Sequence, residues 1–280
     1  MGVDLATSGI ESKLTVNIVG GAGRMGKLLA KSMRNRVGAL RIISRSPERG
    51  KEAAKELDVE WAPIEEAHKA DVVIVSVPMD ETVDACRNMA GRMSQGSLLV
   101  DLTSVKTGIV DAVSASTPAN IEYLSLHPLF GPNVENVAGR RIIAIKARPG
   151  PKTEDFIDLL ESCGCIVKVS TVEEHDEAMA SIQVLHHFAL LSLSKAIGRV
   201  VAGRNLSEYL TESFERTLIN IESIERNLET IYKIQRMNPH GETVRRIFID
   251  EANKLNSLDF NINNLNICLR NLIKALKPKS

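Results

Sequence analysis

The sequence predicts an α/β protein in which a doubly wound, mainly parallel β-sheet is followed by an all-helical region. Up to about residue 170, short β-branched runs alternate with helical patterns, which is typical of βαβ units. A glycine-rich turn directly follows the first of these runs, where a doubly wound sheet begins its first helix. Beyond about residue 172 the strand patterns stop and long helical periodicities continue.

The individual elements follow from the spacing of apolar residues. The runs with strand character are TVNIVGG, LRIIS, DVVIVSVP, SLLVDLT, IEYLSLH, RRIIAIKA and CIVKVS. Helical spacing occurs at 25–36, 47–56, 79–91 and 152–162, between several of these runs. We therefore expect a flexible tail over residues 1–13, the sheet domain over 14–171 and the helical domain over 172–280.

The composition argues against several kinds of partner. Lys plus Arg and Asp plus Glu number 35 each, so no net field attracts nucleic acid or an anionic membrane. The first residues lack the apolar stretch of a signal peptide, and no apolar run approaches the roughly 20 residues that span a bilayer. Cys86, Cys163, Cys165 and Cys268 suit neither a disulfide framework nor a metal site. We expect a cytoplasmic protein without a metal, membrane or nucleic-acid partner.

The segment VNIVGGAGRMG carries the pattern G-x-G-x-x-G at Gly21, Gly23 and Gly26. Gly21 allows the tight turn, Gly23 lets a pyrophosphate approach the backbone, and Gly26 lets the helix pack closely on the strand. Arg24 and Met25 lie between the glycines, at the N-terminus of the expected helix, which would face the phosphates. The position of this pattern after the first strand favours a Rossmann dinucleotide-binding domain over a plain glycine-rich turn.

The residues after the second and fourth strand-like runs suggest which dinucleotide binds. In IISRSPER, Ser44, Arg45 and Ser46 stand where an acidic residue would bind the ribose of NAD. Hydroxyls and a guanidinium suit a 2′-phosphate, so we expect NADP in preference to NAD, although Arg45 could instead stack on adenine or face solvent. In SVP, Val77 and Pro78 are expected to line the cofactor crevice, unless Pro78 simply ends the strand.

A histidine stands in an unusually stiff sequence context, SLHPLFGP, at residues 125–132. Pro128, Gly131 and Pro132 constrain the backbone around His127. A side chain that must meet a reacting atom needs such a fixed mount, whereas an ordinary surface loop does not. We therefore consider His127 a candidate catalytic residue, with the capping of a loop as the alternative.

Together these motifs resemble those of the prephenate dehydrogenases. GGAGRMG, SVP, DLTSVKT, LHPLFGP and IQVLHHF occur in the order and approximate spacing of that family, and the likeness covers residues from about 14 to 190. The resemblance implies NAD(P)-dependent oxidative decarboxylation of prephenate to 4-hydroxyphenylpyruvate in tyrosine biosynthesis. It also implies a homodimer joined through the helical domains.

The resemblance assigns roles to residues around the reacting centre. His127 matches the catalytic histidine, which accepts a hydrogen bond from the substrate hydroxyl in its neutral form. Ser104 matches a serine that binds the same hydroxyl, although by itself the segment TSVK is typical of a helix N-cap. Thr103 precedes this serine and is expected to contact the cofactor. Lys106 could lend charge nearby, but we expect it to be a solvated lysine.

The helical region offers candidates for binding the substrate. The stretch 174–198 is apolar on all sides, so we expect a buried helix whose polar residues need partners. Gln183 and His187 are four residues apart on one face, and His187 matches a substrate-contacting histidine of the family. A satisfied core histidine is the alternative. For the arginine that binds the ring carboxylate, Arg226 is the first choice and Arg216 the second, and both could be surface residues.

The C-terminal sequence predicts an association between helices. Spacings of three and four connect the members of an apolar heptad seam: Leu255, Leu258, Ile262, Leu265, Leu269, Leu272 and Leu276. The partner helix could be intrachain, but the resemblance favours a homodimer. Three other functions stay open from the sequence: arogenate dehydrogenase, a β-hydroxyacid dehydrogenase or imine reductase, and a dinucleotide-sensing regulatory protein without turnover.

Overall fold

The computed structural model describes residues 12–257 and 261–277. Most of the expected N-terminal tail and Leu258 of the heptad seam lie outside these residues. The sheet consists of β1 to β8: Thr15–Val19, Ala39–Ile43, Glu60–Ala62, Val72–Val75, Leu98–Asp101, Glu122–Pro128, Arg141–Arg148 and Ile166–Val169. Its strand order is β3-β2-β1-β4-β5-β6-β7-β8, and within it only β6 and β7 pair antiparallel. The predicted doubly wound, mainly parallel sheet is confirmed.

The strands form where the sequence has continuous β-branched and aliphatic runs. β4 and β5 are buried along their whole length, which is expected of central parallel strands that are covered on both faces. The helices that follow strands are α1 to α5: Arg24–Met33, Pro47–Leu57, Thr82–Ala90, Ile109–Ser116 and Pro151–Ser162. Sequence spacing missed the three-residue strand β3 and helix α4, because both are short and α4 is poor in strong helix formers.

Among the residues described beyond β8, the regular structure is helical, as expected. The remaining α-helices are α6 to α11: Val172–Met179, His186–Val201, Glu212–Glu225, Leu228–Met237, Gly241–Asn256 and Ile262–Leu276. A π-helical segment, Ala180–Leu185, joins α6 to α7. The predicted heptad seam is wrong as a feature of one helix, because Leu255 lies in α10 whereas Ile262 begins α11.

The expectation of a helix buried all round at 174–198 is also wrong within the single chain: Met179, Ala180 and Val184 are buried, but no residue of α7 is. The continuous segment Val172–Val201 is long and apolar enough, by length and composition alone, to cross a membrane, with a mean hydropathy of 1.2 over its most apolar window. The sequence expectation considered only unbroken apolar runs and so passed over this segment. Helices apolar on all sides normally lie in a protein core or in a membrane.

The chain divides into two compact units. The first unit extends through Ala178 and also takes in Tyr232–Asn238, while the second comprises Met179–Ile231 and the residues from Pro239 onward. The first unit therefore contains α6 up to Ala178, although the predicted boundary between residues 171 and 172 assigns this helix to the helical domain. Within the first unit, Lys233 Nζ of α9 lies 2.7 Å from Asp80 Oδ1, in the turn after β4. The returning segment is thus tied to the edge of the sheet that carries the glycine loop.

Candidate active site

The glycine loop connects β1 to α1 at the carboxyl edge of the sheet. Gly20 has a φ of 78°, in the left-handed region, and a Cβ there would lie 2.2 Å from the carbonyl oxygen of Ser76. The residue that turns the chain is therefore Gly20, one position before the Gly21 of the sequence motif. Gly23 N–H donates to the carbonyl of Gly20, and no side chain caps the start of α1. The start of α1 thus lacks a side-chain cap, and a helix N-terminus of this kind suits an anion.

The two flanking glycines of the motif serve packing, whereas the middle one has a single close neighbour. A Cβ on Gly26 would lie 2.6 Å from Cα of Gly21, and a Cβ on Gly21 would lie 2.8 Å from the carbonyl oxygen of Ile18. At Gly23 the nearest atom to such a Cβ is the carbonyl oxygen of Gly20, at 3.1 Å. Arg24 is exposed and Met25 is half-buried against the core. This loop fits a dinucleotide pyrophosphate over Gly23 at the start of α1.

The residues expected at the adenine ribose follow β2. Arg45 is exposed, and its Nη1 lies 3.1 Å from Glu81 Oε2 in the turn after β4. Ser46 caps α2, since its hydroxyl accepts a hydrogen bond from Arg49 N–H. Ser44 accepts a hydrogen bond from the Ser46 N–H through its Oγ. No carboxylate occupies the turn between β2 and α2, and the acidic partner of Arg45 comes from the turn after β4, two strands along the sheet.

The remaining candidates of the first unit follow the adjacent strands β4, β5 and β6. Val77 is half-buried and Pro78 exposed in the turn after β4. Thr103 is buried, and its hydroxyl donates to Asp101 Oδ1 at 2.5 Å, so this side chain supports the turn after β5. Ser104, next in that turn, is half-buried. Because β5 and β6 are parallel neighbours, Ser104 and His127 lie at the same edge of the sheet.

His127 is part of β6 and is 3% exposed. It is paired in register with Ile143 of β7, so the fixed mount expected from the prolines and glycine is in fact a strand inside the sheet. Gly131 lies beyond the strand with open space around it. The backbone that carries the imidazole is therefore fixed by the pairing of β6 with β7, and not by the loop that follows β6.

The ring of His127 contacts a second histidine that sequence reasoning missed. His127 Nδ1 lies 2.9 Å from His175 Nε2, and His175 Nδ1 lies 2.7 Å from Asp176 Oδ1. Both residues come from α6 and are buried. The Asp176 carboxylate also accepts hydrogen bonds from the backbone N–H groups of Lys106 and Thr107. A chain of hydrogen bonds thus runs from the turn after β5 through α6 to His127.

A buried ion pair between Lys106 and Asp101 lies next to the strand residues that carry His127. Lys106, expected to be solvated, is fully buried, and its Nζ lies 3.7 Å from Asp101 Oδ1. Its ammonium donates to Ser125 Oγ at 2.7 Å and to the Leu126 carbonyl at 2.8 Å. The other Asp101 oxygen accepts from the Tyr123 hydroxyl at 2.7 Å. The expectation of a solvated lysine is wrong because the Lys106 ammonium finds four polar partners in the interior: the three groups named above and the Thr103 hydroxyl.

These surroundings set the charge of each group. Burial and then the Lys106 ammonium hold the pKa of His127 well below its usual value, so the imidazole is neutral at neutral pH. Burial raises the pKa of Asp101, but the charge of Lys106 and the hydrogen bonds from Ser125 and Thr103 together outweigh it, and the pKa lies below the ordinary value. Burial likewise opposes ionisation of Asp176, but hydrogen bonds from His175 and Thr107 lower its pKa to about 2. The site therefore presents a neutral His127 imidazole that is connected through His175 to the ionised carboxylate of Asp176.

The candidates for substrate binding belong to the second unit. Gln183 lies in the π-helical segment and His187 in the first turn of α7. Gln183 Oε1 and His187 Nδ1 are buried atoms without a hydrogen-bond partner among the described residues. Burial, followed by the charge of His186, lowers the pKa of His187 to about 4. Orphaned buried polar atoms are rare, and π-helical turns are frequent at functional sites, so this pair is a candidate for ligand contact.

Both candidate arginines have acidic partners on their own helix. Arg226 Nη1 lies 3.7 Å from Glu222 Oε2 at the end of α8. Arg216 pairs with Glu212 one turn earlier and is largely exposed. Neither arginine belongs to the first unit, where His127 lies. Their assignment to the ring carboxylate stays a prediction.

The fold and the glycine loop define a Rossmann protein that binds a nicotinamide dinucleotide. Residues 29–141 match the family description "Prephenate dehydrogenase, nucleotide-binding domain". Over these residues the chain resembles the prephenate dehydrogenases, a family of oxidoreductases.

Known proteins show how far this likeness extends. A "Probable arogenate/prephenate dehydrogenase" of Methanocaldococcus jannaschii is 29% identical over 254 residues, which are 88% of this chain and 57% of that protein. A 4-amino-4-deoxyprephenate dehydrogenase of Streptomyces pristinaespiralis is 30% identical over 131 residues, 47% of this chain and 44% of that protein. The chain thus spans about half the length of these curated relatives.

A solved structure resembles the fold more fully. The prephenate dehydrogenase of A. aeolicus, crystallised with hydroxyphenyl propionate and NAD+, superposes with a TM-score of 0.75. The match covers 95% of each chain at 20% sequence identity. At this identity the similarity concerns the fold.

Proposed function

We propose that this protein oxidises prephenate with NADP or NAD and releases 4-hydroxyphenylpyruvate and carbon dioxide. The observation that carries the proposal is the neutral, buried His127, held by a strand at the sheet edge that also bears the glycine loop. The motif match to the family supports the same conclusion. The proposal includes the cytoplasmic location expected from the sequence, where the described cysteines stay free thiols.

The reaction requires an acceptor at the hydroxyl on C4 of prephenate. The nicotinamide supplies the acceptor for the hydride that leaves C4. His127 accepts a hydrogen bond from the C4 hydroxyl. The proton of this hydroxyl becomes more acidic as the hydride departs. The bond from C1 to its carboxylate then breaks, carbon dioxide leaves, and its electron pair completes the aromatic ring. His127 returns the shared proton to the phenol oxygen, so no net proton is consumed.

Ser104 and the glycine loop complete this assignment. Ser104 follows β5 at the same sheet edge and is placed to hydrogen-bond the reacting hydroxyl. Gly23 and the uncapped start of α1 hold the pyrophosphate. Gln183 and His187, with their unpartnered atoms, are assigned to the pyruvyl side chain of the substrate. Arg226, or else Arg216, is assigned to the ring carboxylate.

Arogenate is the second candidate substrate. It differs from prephenate in the side chain, where an ammonium group and a hydrogen replace the keto oxygen. The unpartnered Gln183 Oε1 is an acceptor, which suits an ammonium donor. The same reacting ring and the same role of His127 apply to both substrates. The 4-amino-4-deoxy compound lacks the C4 hydroxyl that His127 would accept from, which makes it the third choice.

We also propose that two copies associate through their second units. Large apolar side chains of that unit are exposed in the single chain, and they are concentrated on α7, α8, α10 and α11: Leu193, Val200, Ile219, Ile247, Ile249, Ile262, Leu269, Leu272 and Leu276. A surface of this character normally marks a protein interface. A second copy offers the same apolar faces and would cover them. Light scattering that finds only monomers at micromolar concentration would reject the dimer.

The decisive measurement is absorbance at 340 nm after mixing the protein with prephenate, or with arogenate, and each cofactor in turn. With prephenate we expect reduced cofactor and 4-hydroxyphenylpyruvate to form in equal amounts, whereas turnover of arogenate would give reduced cofactor and tyrosine. The variant His127→Ala should lower kcat roughly 10²–10⁴-fold and leave the Kd of the cofactor unchanged. Cofactor binding without turnover on any of the substrates, or full activity of His127→Ala, would reject the proposed function.

A further inference from the structure

We propose that His175 and Asp176 are positioning residues that fix the tautomer of His127, so that its Nε2 carries a lone pair for the substrate hydroxyl. This inference rests on the proposed function only for the identity of that hydroxyl. The tautomer itself follows from three contacts within the first unit. It can therefore be tested on the free protein.

The Asp176 carboxylate determines which ring nitrogen of His175 carries a hydrogen. A carboxylate offers acceptors only, and this carboxylate already receives the backbone N–H groups of Lys106 at 3.1 Å and Thr107 at 2.7 Å. Its Oδ1 lies 2.7 Å from His175 Nδ1. That nitrogen must carry a hydrogen to make the contact. The buried carboxylate thus selects the His175 tautomer with hydrogen on Nδ1.

The selection passes to His127 through the second contact. In a neutral His175 with hydrogen on Nδ1, Nε2 is an acceptor. Nε2 lies 2.9 Å from His127 Nδ1, so His127 Nδ1 is the donor of this bond. His127 then has no hydrogen on Nε2. Among the described residues, no hydrogen-bond partner engages that Nε2, which leaves its lone pair to a ligand.

The same carboxylate also holds the turn that carries Ser104. The two backbone N–H groups that Asp176 accepts lie two and three residues after Ser104, before α4 begins. Asn238 Nδ2 donates to the Asp176 carbonyl at 2.9 Å and fixes α6 from the other side. Asp176 therefore connects the proton order of His127 with the position of the serine. A carboxylate with a purely structural role would not need to contact both His175 and the turn that carries Ser104.

The variant Asp176→Asn reverses this order with almost no change of shape. The carboxamide has one oxygen, which the two backbone N–H groups engage, so its NH₂ group turns toward His175 Nδ1. His175 then carries its hydrogen on Nε2 and donates to His127 Nδ1. His127 is left with hydrogen on Nε2, where it cannot accept from the substrate. In Ser-His-Asp triads the same exchange lowers kcat by roughly 10⁴-fold for the same reason.

The test combines NMR with kinetics on the full chain. Long-range ¹H–¹⁵N correlation spectra of the uniformly labelled protein at neutral pH report which ring nitrogen carries hydrogen, and His127→Gln identifies the His127 signals. We expect hydrogen on Nδ1 of His127 in the natural protein and on Nε2 in Asp176→Asn. We also expect kcat to fall roughly 10²–10⁴-fold in Asp176→Asn while the Kd of the cofactor is unchanged. Glu177→Gln, an exposed neighbour on the same helix, is the matched control and should change neither readout.

Each outcome decides the matter. Hydrogen on Nε2 of His127 in the natural protein overturns the inference, and this measurement needs no variant to fold. A folded Asp176→Asn protein that keeps hydrogen on Nδ1, or that keeps its kcat, also overturns it. If no substrate is turned over, the proposed function fails while the spectrum still decides the tautomer.

Discussion

Lys106 and Asp101 form an ion pair that is shielded from solvent on both sides, with 3.7 Å between Nζ and Oδ1. The pair lies under the strand that carries His127, because Nζ also binds the Leu126 carbonyl next to that residue. Burial is the main cause of the lowered pKa of His127, and the positive charge of Lys106 is the second. Stability and the protonation of the candidate acceptor therefore depend on the same lysine.

Removing only the lysine should be strongly destabilising. In Lys106→Met the Asp101 carboxylate stays buried without its counter-charge, and we expect a loss of about 3–5 kcal/mol in the free energy of unfolding. The double variant Asp101→Asn/Lys106→Met removes both charges and should recover a large part of this loss. Urea denaturation monitored by circular dichroism measures both. A loss in Lys106→Met no larger than that of the double variant would contradict a buried charged pair.

The glycine loop should separate stability from cofactor binding. Gly26→Ala places a Cβ 2.6 Å from the backbone of Gly21, so the helix must shift and the melting temperature should fall. Gly23→Ala meets only the Gly20 carbonyl oxygen, at 3.1 Å, and should melt within a few degrees of the natural protein. Its Cβ nevertheless occupies the place of the pyrophosphate. We expect its Kd for the dinucleotide, measured by fluorescence titration, to rise at least about tenfold; an unchanged Kd would place the pyrophosphate elsewhere.

Arg45 should determine the preference for the 2′-phosphate. A charge-assisted hydrogen bond to phosphate contributes about 1.5–3 kcal/mol, so Arg45→Ala should lower kcat/KM with NADP about 10- to 150-fold and leave the value with NAD nearly constant. Glu81→Gln removes the carboxylate that pairs with Arg45 and should raise the affinity for NADP. Arg87→Ala, another surface arginine in an ion pair, is the control. Equal effects of Arg45→Ala on both cofactors would show that Arg45 does not read the phosphate.

The buried histidines should make the protein less stable in mild acid. The pKa of His127 in the folded protein is well below 6.5 and that of His187 is about 4, so the unfolded chain binds more protons as the pH falls below about 6.5. Stability is therefore full above that pH and decreases towards the folded pKa values. Asp176, with a pKa of about 2, adds to the loss only at lower pH, below the usual carboxylate range of about 4.

The melting temperature measured from pH 7.5 to 4.5 tests this expectation. His127→Gln removes one of the two groups and should make the decrease with acid shallower. His240→Gln is a matched control, because that histidine is exposed in the second unit. A slope that His127→Gln leaves unchanged would mean that His127 is not held neutral by the fold.

Much of the first unit could be predicted from local sequence. The alternation of β-branched runs with helical spacing indicates the sheet because each parallel strand must be apolar along its length to be buried. The glycine pattern and SLHPLFGP were visible because backbone geometry restricts which residues fit there. The short β3 and α4 escaped because a few residues give too little periodicity to recognise.

The partners of His127 were hidden from the sequence. In EEHDEAM, His175 and Asp176 look like ordinary polar residues in the first turns of a surface helix, and Lys106 looks like a solvated lysine. The sequence held one indication of a buried polar group: acidic and imidazole side chains directly precede the apolar helix. It could not be interpreted without knowing which strand α6 packs against.

The sequence by itself determined the sheet, the glycine loop and the candidate histidine, since these depend on the spacing of neighbouring residues and on backbone sterics. Only the tertiary structure decided that His127 is held by a strand, that Asp176 orders its proton through His175, and that Lys106 is buried against Asp101. These relationships join residues from 5 to 49 positions apart in the chain. Burial and hydrogen-bond direction are properties of such distant contacts, and no local pattern encodes them.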